Sequence, residues 1–190
     1  ARHTFAFVGL RGCECRAISY LDGVMYDEPG PESFYQVRRE NSLLVSIDCA
    51  TPAEACFCTL LGDEPYPDSV FDINLTPITD GYVVEVGSEE GERVVQGLDE
   101  HLSDVSDRHL QQRGEVRERA IEELRRQNGD YAVPDDIPAA LSSGLENDFW
   151  KDEVGRCVQC GGCTAVCPTC YCFLLADRQV EKDLYERIRA

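Results

Sequence analysis

Four cysteines near the C-terminal end of the sequence stand at a spacing that is typical of cubane iron–sulfur clusters. They form the run Cys157-Val-Gln-Cys160-Gly-Gly-Cys163-Thr-Ala-Val-Cys167-Pro168, which is C-x2-C-x2-C-x3-C-P. Two residues between neighbouring thiolates let one tight loop point three sulfurs at three irons. Gly161 and Gly162 can adopt positive φ and let the backbone approach the cluster closely. The run therefore predicts a [4Fe–4S] site.

The fourth cysteine of such a run has a separate role. In two-cluster ferredoxins it binds the other cluster, not the one held by the first three cysteines. We therefore expect the first three to share one cluster and Cys167 to belong to a neighbouring one. A helix expected to begin near Pro168 would carry Cys167 away from the first cluster. Cys170 and Cys172 are left without a clear role, either as packed thiols or as stand-in ligands.

Zinc and disulfide bonds are the alternatives for so many cysteines. Zinc sites usually contain two separated C-x2-C pairs, or one pair with histidines. The 11 cysteines of this chain are an odd number, and they fall into two groups, residues 13–58 and 157–172. This is not the distribution of a disulfide framework, and no apolar run is long enough to span a bilayer. The pattern predicts a reducing, anaerobic cytoplasm in which the thiols bind metal.

The first cysteine group predicts a second metal site. Cys13, Cys49, Cys56 and Cys58 can supply four thiolates to one cubane, because each follows or lies near the end of a predicted strand. Loops on a rigid scaffold commonly carry ligands. The alternative is that Cys13 and Cys49 are buried structural thiols. Cys15 is a fifth candidate, which either replaces Cys13 or packs.

The first ninety residues alternate between short strands and short helices. Buried strands are predicted at residues 5–10, 43–47 and 82–86. A further strand is predicted at residues 72–75, and a turn signal over residues 79–81 joins it to the strand at 82–86. Helices are predicted over residues 16–25 and 33–39. The order predicts a small α/β domain over residues 1–90 that binds one [4Fe–4S] cluster.

The remaining sequence is predicted to be mainly helical. The predicted helices are 94–110, 116–127, 139–154 and a last one from Cys172 to Arg189. An apolar stripe of Val116, Ala120, Ile121 and Leu124 is typical of packing. We predict a helical connector over residues 91–148 and the first half of an α-helical ferredoxin-like domain over residues 149–190. The fold class is therefore α+β.

The negative net charge of the chain and the absence of catalytic motifs limit the functions that it can have. A formal net charge of −18 and a pI near 4.4 argue against nucleic acid as a partner and fit docking to a basic protein face, or simply solubility. The histidines, His3, His101 and His109, are dispersed, and the last two are expected to be solvated on a charged helix. No catalytic constellation is apparent, and no G-x-G-x-x-G follows a strand. The pattern indicates a relay of electrons, not a catalytic subunit.

Four separated motifs resemble one protein family over most of the chain. They are Gly9-Leu-Arg-Gly-Cys13-Glu-Cys-Arg16-Ala17, Arg38-Arg39-Glu40, Cys49-Ala-Thr-Pro52-Ala-Glu-Ala-Cys56-Phe57-Cys58-Thr59, and Cys157 through Cys167-Pro-Thr-Cys-Tyr-Cys172-Phe173. Together they resemble the iron–sulfur β subunit of cytosolic nickel–iron hydrogenases of the sulfhydrogenase type. The A subunit of anaerobic sulfite reductase belongs to the same family, and the motifs do not separate the two.

The resemblance implies three [4Fe–4S] clusters, one in an N-terminal α/β domain and two in a dicluster ferredoxin domain. It also implies a flavoprotein partner of the ferredoxin–NADP reductase type and a catalytic partner, which are the hydrogenase small and large subunits or a sulfite reductase subunit. The chain would relay single electrons between them. A zinc-stabilised interaction module is the alternative of another class, and metal analysis separates the two.

Two departures from the family pattern qualify this resemblance. Family members commonly have Pro and Leu where this chain has Gly12 and Cys15, so Cys15 is not supported as a ligand. The family also extends beyond both ends of this sequence, which then corresponds to the middle of a longer subunit. In that case the fourth ligand of the Cys157 cluster would come from a second cysteine motif after residue 190.

Overall fold

The computed structural model describes residues 5–26, 32–170, 175–182 and 184–189. The chain divides into two compact units, Ala1–Arg156 and Cys157–Ala190. The first unit contains a four-stranded sheet with helices, and the second contains a short helix and a two-stranded sheet. The predicted α+β class is confirmed. The predicted domain boundaries near residues 90 and 148 stay a prediction.

The sheet of the first unit has the strand order β1-β2-β3-β4. These strands are Phe5–Leu10, Ser42–Ile47, Ile73–Ile78 and Gly81–Val86. β1, β2 and β3 are parallel, whereas β4 is antiparallel to β3. Leu75 pairs with Val84 and Ile78 with Gly81, so β3 and β4 form the hairpin that the turn signal predicted. Each strand predicted in this region is present.

The prediction that β1 and β4 are buried is wrong, because these strands lie at the two edges of the sheet. In β4, Tyr82 is 57% exposed and Val86 44%. Phe5 and Phe7 are about half exposed, and Val8 is 73% exposed. The physical reason is the place of β1 at the edge of the sheet, where it has only β2 as a neighbour. An apolar run indicates a strand, but it does not say how much of the strand other elements cover.

Two helices connect β1 to β2, namely α1 (Gly12–Tyr26) and α2 (Ser33–Glu40). α1 buries Ala17, Leu21 and Met25, as its apolar spacing predicted. The two helices are joined through Asp22, whose carboxylate accepts hydrogen bonds from the Tyr35 hydroxyl at 2.6 Å and from Arg39 Nε at 3.1 Å. This contact gives the second residue of the Arg38-Arg39 pair a structural role.

The predicted helix over residues 94–110 is wrong as a single element. α3 spans Glu89–Gln96, a 3₁₀ turn spans Asp99–His101, and α4 spans Asp107–Gln127. A capping box starts α4 afresh: Ser106 Oγ accepts the His109 N–H, and His109 Nδ1 accepts the Ser106 N–H at 3.3 Å. His109 therefore caps a helix, and the prediction that this residue is merely solvated is wrong.

α4 is the helix that packs on the sheet of the first unit, mainly against β3. Val116, Ala120 and Leu124 are buried along one side of it, and Leu124 is 0% exposed. The apolar stripe is confirmed as packing. Because residues 116, 120 and 124 are four apart, they lie on one face, and this face fixes which polar residues of α4 point toward the sheet.

The predicted helical piece over residues 139–154 consists of two helices, α5 (Ile137–Gly144) and α6 (Asp148–Gly155). Asn147 separates them by capping α6, since its Oδ1 accepts the Phe149 N–H at 2.9 Å. The Trp150 indole donates to the Gly144 carbonyl at 2.8 Å and joins the two helices. Within the described ranges, no helix combines the length and the apolar character needed to cross a bilayer.

The second unit contains α7 (Gly162–Val166) and the strands β5 (Leu175–Glu181) and β6 (Leu184–Arg189), which are antiparallel. The predicted helix from Cys172 to Arg189 is therefore wrong over residues 175–189, apart from Asp183, which is not described. The backbone pairing runs from Leu175 with Arg189 to Glu181 with Leu184, so these segments form hydrogen bonds with each other and not within one helix. Cys172 lies outside the described residues.

Candidate metal centres

The first cysteine set lies at the ends of neighbouring strands. Cys13 is in the first turn of α1, directly after β1, and Cys49 follows the end of β2. β1 and β2 are parallel neighbours, so their carboxyl ends lie at the same edge of the sheet. Cys56 lies in the loop after β2, and Cys58 begins the 3₁₀ turn Cys58–Leu61. The fold thus carries all four predicted ligands to one region.

The pKa values of these thiols indicate that the four lie near one another. Burial raises the pKa of Cys49 to about 11; the Arg11 charge lowers this pKa, and Cys13, Cys56 and Cys58 raise it. Burial also raises the pKa values of Cys13 and Cys58, and both are raised further by Cys56. Thiols with raised pKa values are protonated at neutral pH in the metal-free chain, so metal binding must release protons.

The donor chemistry fits a cubane cluster. None of the ten described cysteines forms a disulfide bond. In the described part of the chain, no three His, Cys, Asp or Glu side chains converge closely enough to hold a single metal ion. A [4Fe–4S] cluster is bound through a different iron by each cysteine, so its ligands surround the cluster and do not meet at one point. Cys13, Cys49, Cys56 and Cys58 would hold it.

The C-terminal end of α4 holds the loop that carries Cys56. Gln127 Nε2 donates to the Cys56 carbonyl at 2.6 Å, and Asn128 Nδ2 donates to the same carbonyl at 3.0 Å. Gln127 Nε2 also donates to the Ala53 carbonyl at 3.2 Å, and Cys56 N–H donates to that carbonyl at 2.9 Å. Sequence reasoning missed these contacts, because they join residues that are 71 and 72 positions apart in the chain.

Asp48, the residue before Cys49, is the centre of a buried polar network and is 2% exposed. Its carboxylate accepts hydrogen bonds from Asn74 Nδ2 at 2.8 Å, Thr76 Oγ1 at 2.6 Å and Arg117 Nε at 2.7 Å. Its carbonyl accepts from Arg11 Nη1 at 3.2 Å. Every oxygen of Asp48 therefore has a partner, which a buried carboxylate requires.

Arg117 is the cation of this network and reaches it from α4. Its side chain is 18% exposed and forms ion pairs with Asp48 at 2.7 Å and with Glu85 at 3.2 Å. The guanidinium carbon also lies 4.2 Å from the centre of the Tyr66 ring, a cation–π contact. Burial lowers the pKa of Arg117, but the hydrogen bond to Asp48 and the charges of Asp48 and Glu85 raise it overall. Sequence reasoning missed the role of this arginine, because its partner Asp48 lies 69 residues away in the chain.

Cys15 packs in the core of the first unit. It is 2% exposed, and burial, followed by the charge of Glu14, raises the pKa of its thiol to about 11. It is two residues from the exposed Cys13 on the same helix, so the two side chains point to different sides of α1. Of the two alternatives for Cys15, the structure favours packing.

The second cysteine set lies on a short exposed loop. Cys157, Cys160 and Cys163 are all exposed, and Cys163 is in α7. Gln159 N–H donates to Cys157 Sγ at 3.4 Å, which is the kind of contact that stabilises a thiolate. Positive φ was predicted at both glycines, but it occurs at Gln159 (56°) and Gly161 (72°), since residue 162 already belongs to α7.

The predicted helix from Pro168 is wrong over the described residues 168–170. α7 ends at Val166, and Cys167 is extended with φ −77° and ψ 118°. The proline ring clashes with the residue before it, which disfavours a helical Cys167, and residues 168–169 form a turn in place of a helix. Hydrogen bonds with Cys170 and then Thr169 lower the pKa of Cys167 to about 7. The assignment of Cys167 to a separate cluster stays a prediction.

Comparison with known proteins finds similarity over both cysteine sets. Residues 156–190 match the family model of the 4Fe-4S dicluster domain. The chain is also 34% identical over 185 residues to the sulfhydrogenase 2 subunit beta of Pyrococcus furiosus. This match covers 97% of the chain but 53% of the relative, so the chain spans about half the length of this curated relative. No solved structure matches the chain.

These matches agree with the cysteine pattern, the motifs and the fold. [4Fe–4S] clusters are the cofactors of this protein. The relative shares nearly the whole chain, including the first unit, and the dicluster model covers the second cysteine set. The chain belongs to the iron–sulfur β subunit family that includes the sulfhydrogenase 2 subunit beta.

Proposed function

We propose that this chain relays single electrons in the cytoplasm between a flavoprotein reductase subunit that binds NAD(P)H and a catalytic pair of nickel–iron hydrogenase subunits. The observation that carries the proposal is the presence of two cysteine sets in two units, one of which matches a dicluster domain. A [4Fe–4S] cluster accepts and releases one electron at a time, and the protein tunes its potential by burial and hydrogen bonding.

The ligand assignment belongs to the same proposal. The first cluster is held by Cys13, Cys49, Cys56 and Cys58, a second by Cys157, Cys160 and Cys163, and Cys167 belongs to a further one. The protein's own residues set the solvent access of these sites: the first set is half-buried apart from Cys13, whereas most of the second is exposed. The first site is therefore shielded from water, and the second is accessible.

The charge distribution supports a protein partner with a basic face. Residues 157–190 contain four basic and four acidic residues, so the formal charge of −18 belongs to residues 1–156. A surface of one sign speeds the approach of an oppositely charged partner and repels the phosphates of nucleic acid. Docking of the first unit should then weaken as salt concentration rises.

The experiment is anaerobic purification of the tagged full-length subunit from its native cells, with analysis of bound subunits, iron, acid-labile sulfide, nickel, flavin and zinc. We expect iron and sulfide in equal amounts, with nickel and flavin in the same complex. Co-purification of a sirohaem protein in place of nickel would assign the relay to sulfite reduction. Zinc without sulfide would overturn the proposal in favour of a zinc-stabilised module.

A matched pair of variants tests the relay itself. Cys58→Ser removes a proposed ligand of the first cluster, and Cys15→Ser changes a buried thiol of the same unit. We expect the Cys58 variant to keep its partner subunits but to lose hydrogen-dependent reduction of NAD(P)⁺, and the Cys15 variant to retain it. Equal activity of both variants would contradict a relay through the first site.

A further inference from the structure

α4 contains no cysteine, but it bonds to the backbone of Cys56 and to Asp48, the residue before Cys49. Its C-terminal end donates hydrogen bonds from Gln127 and Asn128 to the Cys56 carbonyl. About three turns earlier, Arg117 bonds to Asp48, the neighbour of Cys49. Cys49 and Cys56 are therefore held by one helix that lies far from both in sequence.

Arg117 contacts two segments that lie next to the backbone of Cys49. Asp48 directly precedes Cys49 and accepts the Arg117 Nε hydrogen bond at 2.7 Å. Cys49 N–H donates to the Pro65 carbonyl at 2.8 Å, and Tyr66, the residue after Pro65, lies under the guanidinium at 4.2 Å. The guanidinium of Arg117 thus contacts both the residue before Cys49 and the segment that accepts the Cys49 N–H hydrogen bond.

Arg117 also compensates a buried negative charge beside this cysteine. Asn74 and Thr76, the other side chains bonded to the Asp48 carboxylate, are neutral. Among the described residues, Arg117 is the cation that pairs with this carboxylate. In a buried site of low dielectric constant, an uncompensated carboxylate acts strongly on neighbouring charge.

We propose that Arg117 is a positioning residue of the first site. It orients Cys49 and neutralises Asp48, and it thereby keeps the reduction potential of the cluster higher than it would be without Arg117. The inference rests on the proposed function, because it requires a cluster at Cys13, Cys49, Cys56 and Cys58. Without Arg117, the negative charge of Asp48 opposes the addition of an electron to that cluster. The potential then falls.

The test is a potentiometric titration of the full chain followed by electron paramagnetic resonance, with the first-site signal assigned as the one that Cys58→Ser abolishes. For Arg117→Gln we expect about a tenfold lower ratio of reduced to oxidised cluster at a fixed potential, which is about 59 mV for one electron. Asp48→Asn combined with Arg117→Gln removes both charges and should return the potential toward the unmodified value.

Arg113 provides the matched control. It lies one turn before Arg117 and pairs with Glu85 at 3.4 Å, whereas the ion pair with Asp48 belongs to Arg117. Arg113→Gln should leave the potential unchanged. The proposal is overturned if Arg117→Gln titrates like Arg113→Gln, or if the double variant is shifted as far as Arg117→Gln, because charge compensation would then not be the cause.

Two further outcomes complete the test. If Arg117→Gln does not fold, Arg117→Lys replaces it: lysine keeps the charge but not the planar fork, so we expect an unchanged potential and faster loss of iron to a chelator. If the ratio of reduced to oxidised cluster at a fixed potential changes tenfold or more in this variant, the result contradicts the proposal. If Cys58→Ser abolishes no signal, the first site itself is refuted, and the proposal falls with it for that separate and visible reason.

Discussion

The two cysteine sets are built in different ways. The cysteines of the first set come from α1, from the end of β2 and from the following loop, and α4 bonds to Cys56 and to Asp48, the residue before Cys49. The second set lies on one run of 11 residues, Cys157 to Cys167, in an exposed loop with a short helix. The first site therefore depends on long-range packing, whereas the second depends mainly on its own local backbone.

The same contrast holds for the environment of the thiols. Burial raises the pKa of Cys49 to about 11, while hydrogen bonds lower that of Cys167 to about 7. Burial also protects a cluster from water, and exposure leaves room for a partner or for more of the polypeptide chain. We infer that the fold of the first unit is itself part of the first site, which the following predictions test.

The largest expected effect is the loss of one whole cluster. Cys58→Ser should remove the iron and acid-labile sulfide of the first site and leave the signals of the second set intact. Serine is a poor substitute for a thiolate ligand to iron. Iron analysis with resonance Raman or electron paramagnetic resonance checks this. Full iron content in Cys58→Ser, or an equal loss in the control Cys15→Ser, would contradict the ligand assignment.

The dependence of the first site on packing can be tested at Leu124, which is 0% exposed on α4. Leu124→Ala should lower the free energy of unfolding by about 2–5 kcal/mol, because it leaves a cavity in the core. The iron of the first site should become labile, while the second set keeps its spectrum. Leu110→Ala, at a 41% exposed position of the same helix, is the control and should cost less than about 1 kcal/mol.

If both cysteine sets lose iron equally in Leu124→Ala, the contrast between a tertiary and a local site is wrong. Denaturant unfolding followed by circular dichroism, with visible absorption recorded in parallel, separates the two cases. The absorption of the second set should persist at denaturant concentrations that unfold the first unit.

A smaller effect is expected from the buried thiol of Cys15. Its folded pKa is raised from the ordinary 9.0 to about 11, so its contribution to stability is full below pH 9 and is lost between pH 9 and 11. The metal-free chain should lose about 2 kcal/mol of unfolding free energy from this group over that range. In Cys15→Ala the loss with rising pH should be smaller by that amount. An unchanged pH dependence of the unfolding free energy would show that Cys15 is not buried in solution.

The smallest effect concerns the end of α4. Asn128→Ala removes one hydrogen bond to the Cys56 carbonyl, which is worth about 1 kcal/mol. Iron should then pass to a chelator about fivefold faster from the first site, at the conversion of about 1.4 kcal/mol for a factor of ten. Gln111→Ala, which removes an exposed amide of the same helix that bonds to Glu115, should leave the rate unchanged. Equal rates in both variants would mean that α4 does not hold this loop.

The sequence alone was sufficient for the parts of this protein that depend on local spacing. The C-x2-C-x2-C-x3-C-P run, the four strands of the first unit, the hairpin turn at residues 79–81 and the apolar stripe of α4 are all read from residues close together in the chain. Each is a property of two or three turns or of one strand, so neighbouring residues carry the whole signal. The family motifs are local for the same reason.

Tertiary structure decided the features that depend on residues far apart. The exposure of β1 follows from its edge position, and the role of Arg117 follows from a contact with Asp48 that spans 69 residues. On its own helix Arg117 is one charged residue among several, and Asp48 is one polar residue after a strand. Only the packing of α4 on the sheet buries their pair beside Cys49, because burial depends on which surfaces meet and not on the order of residues in either segment.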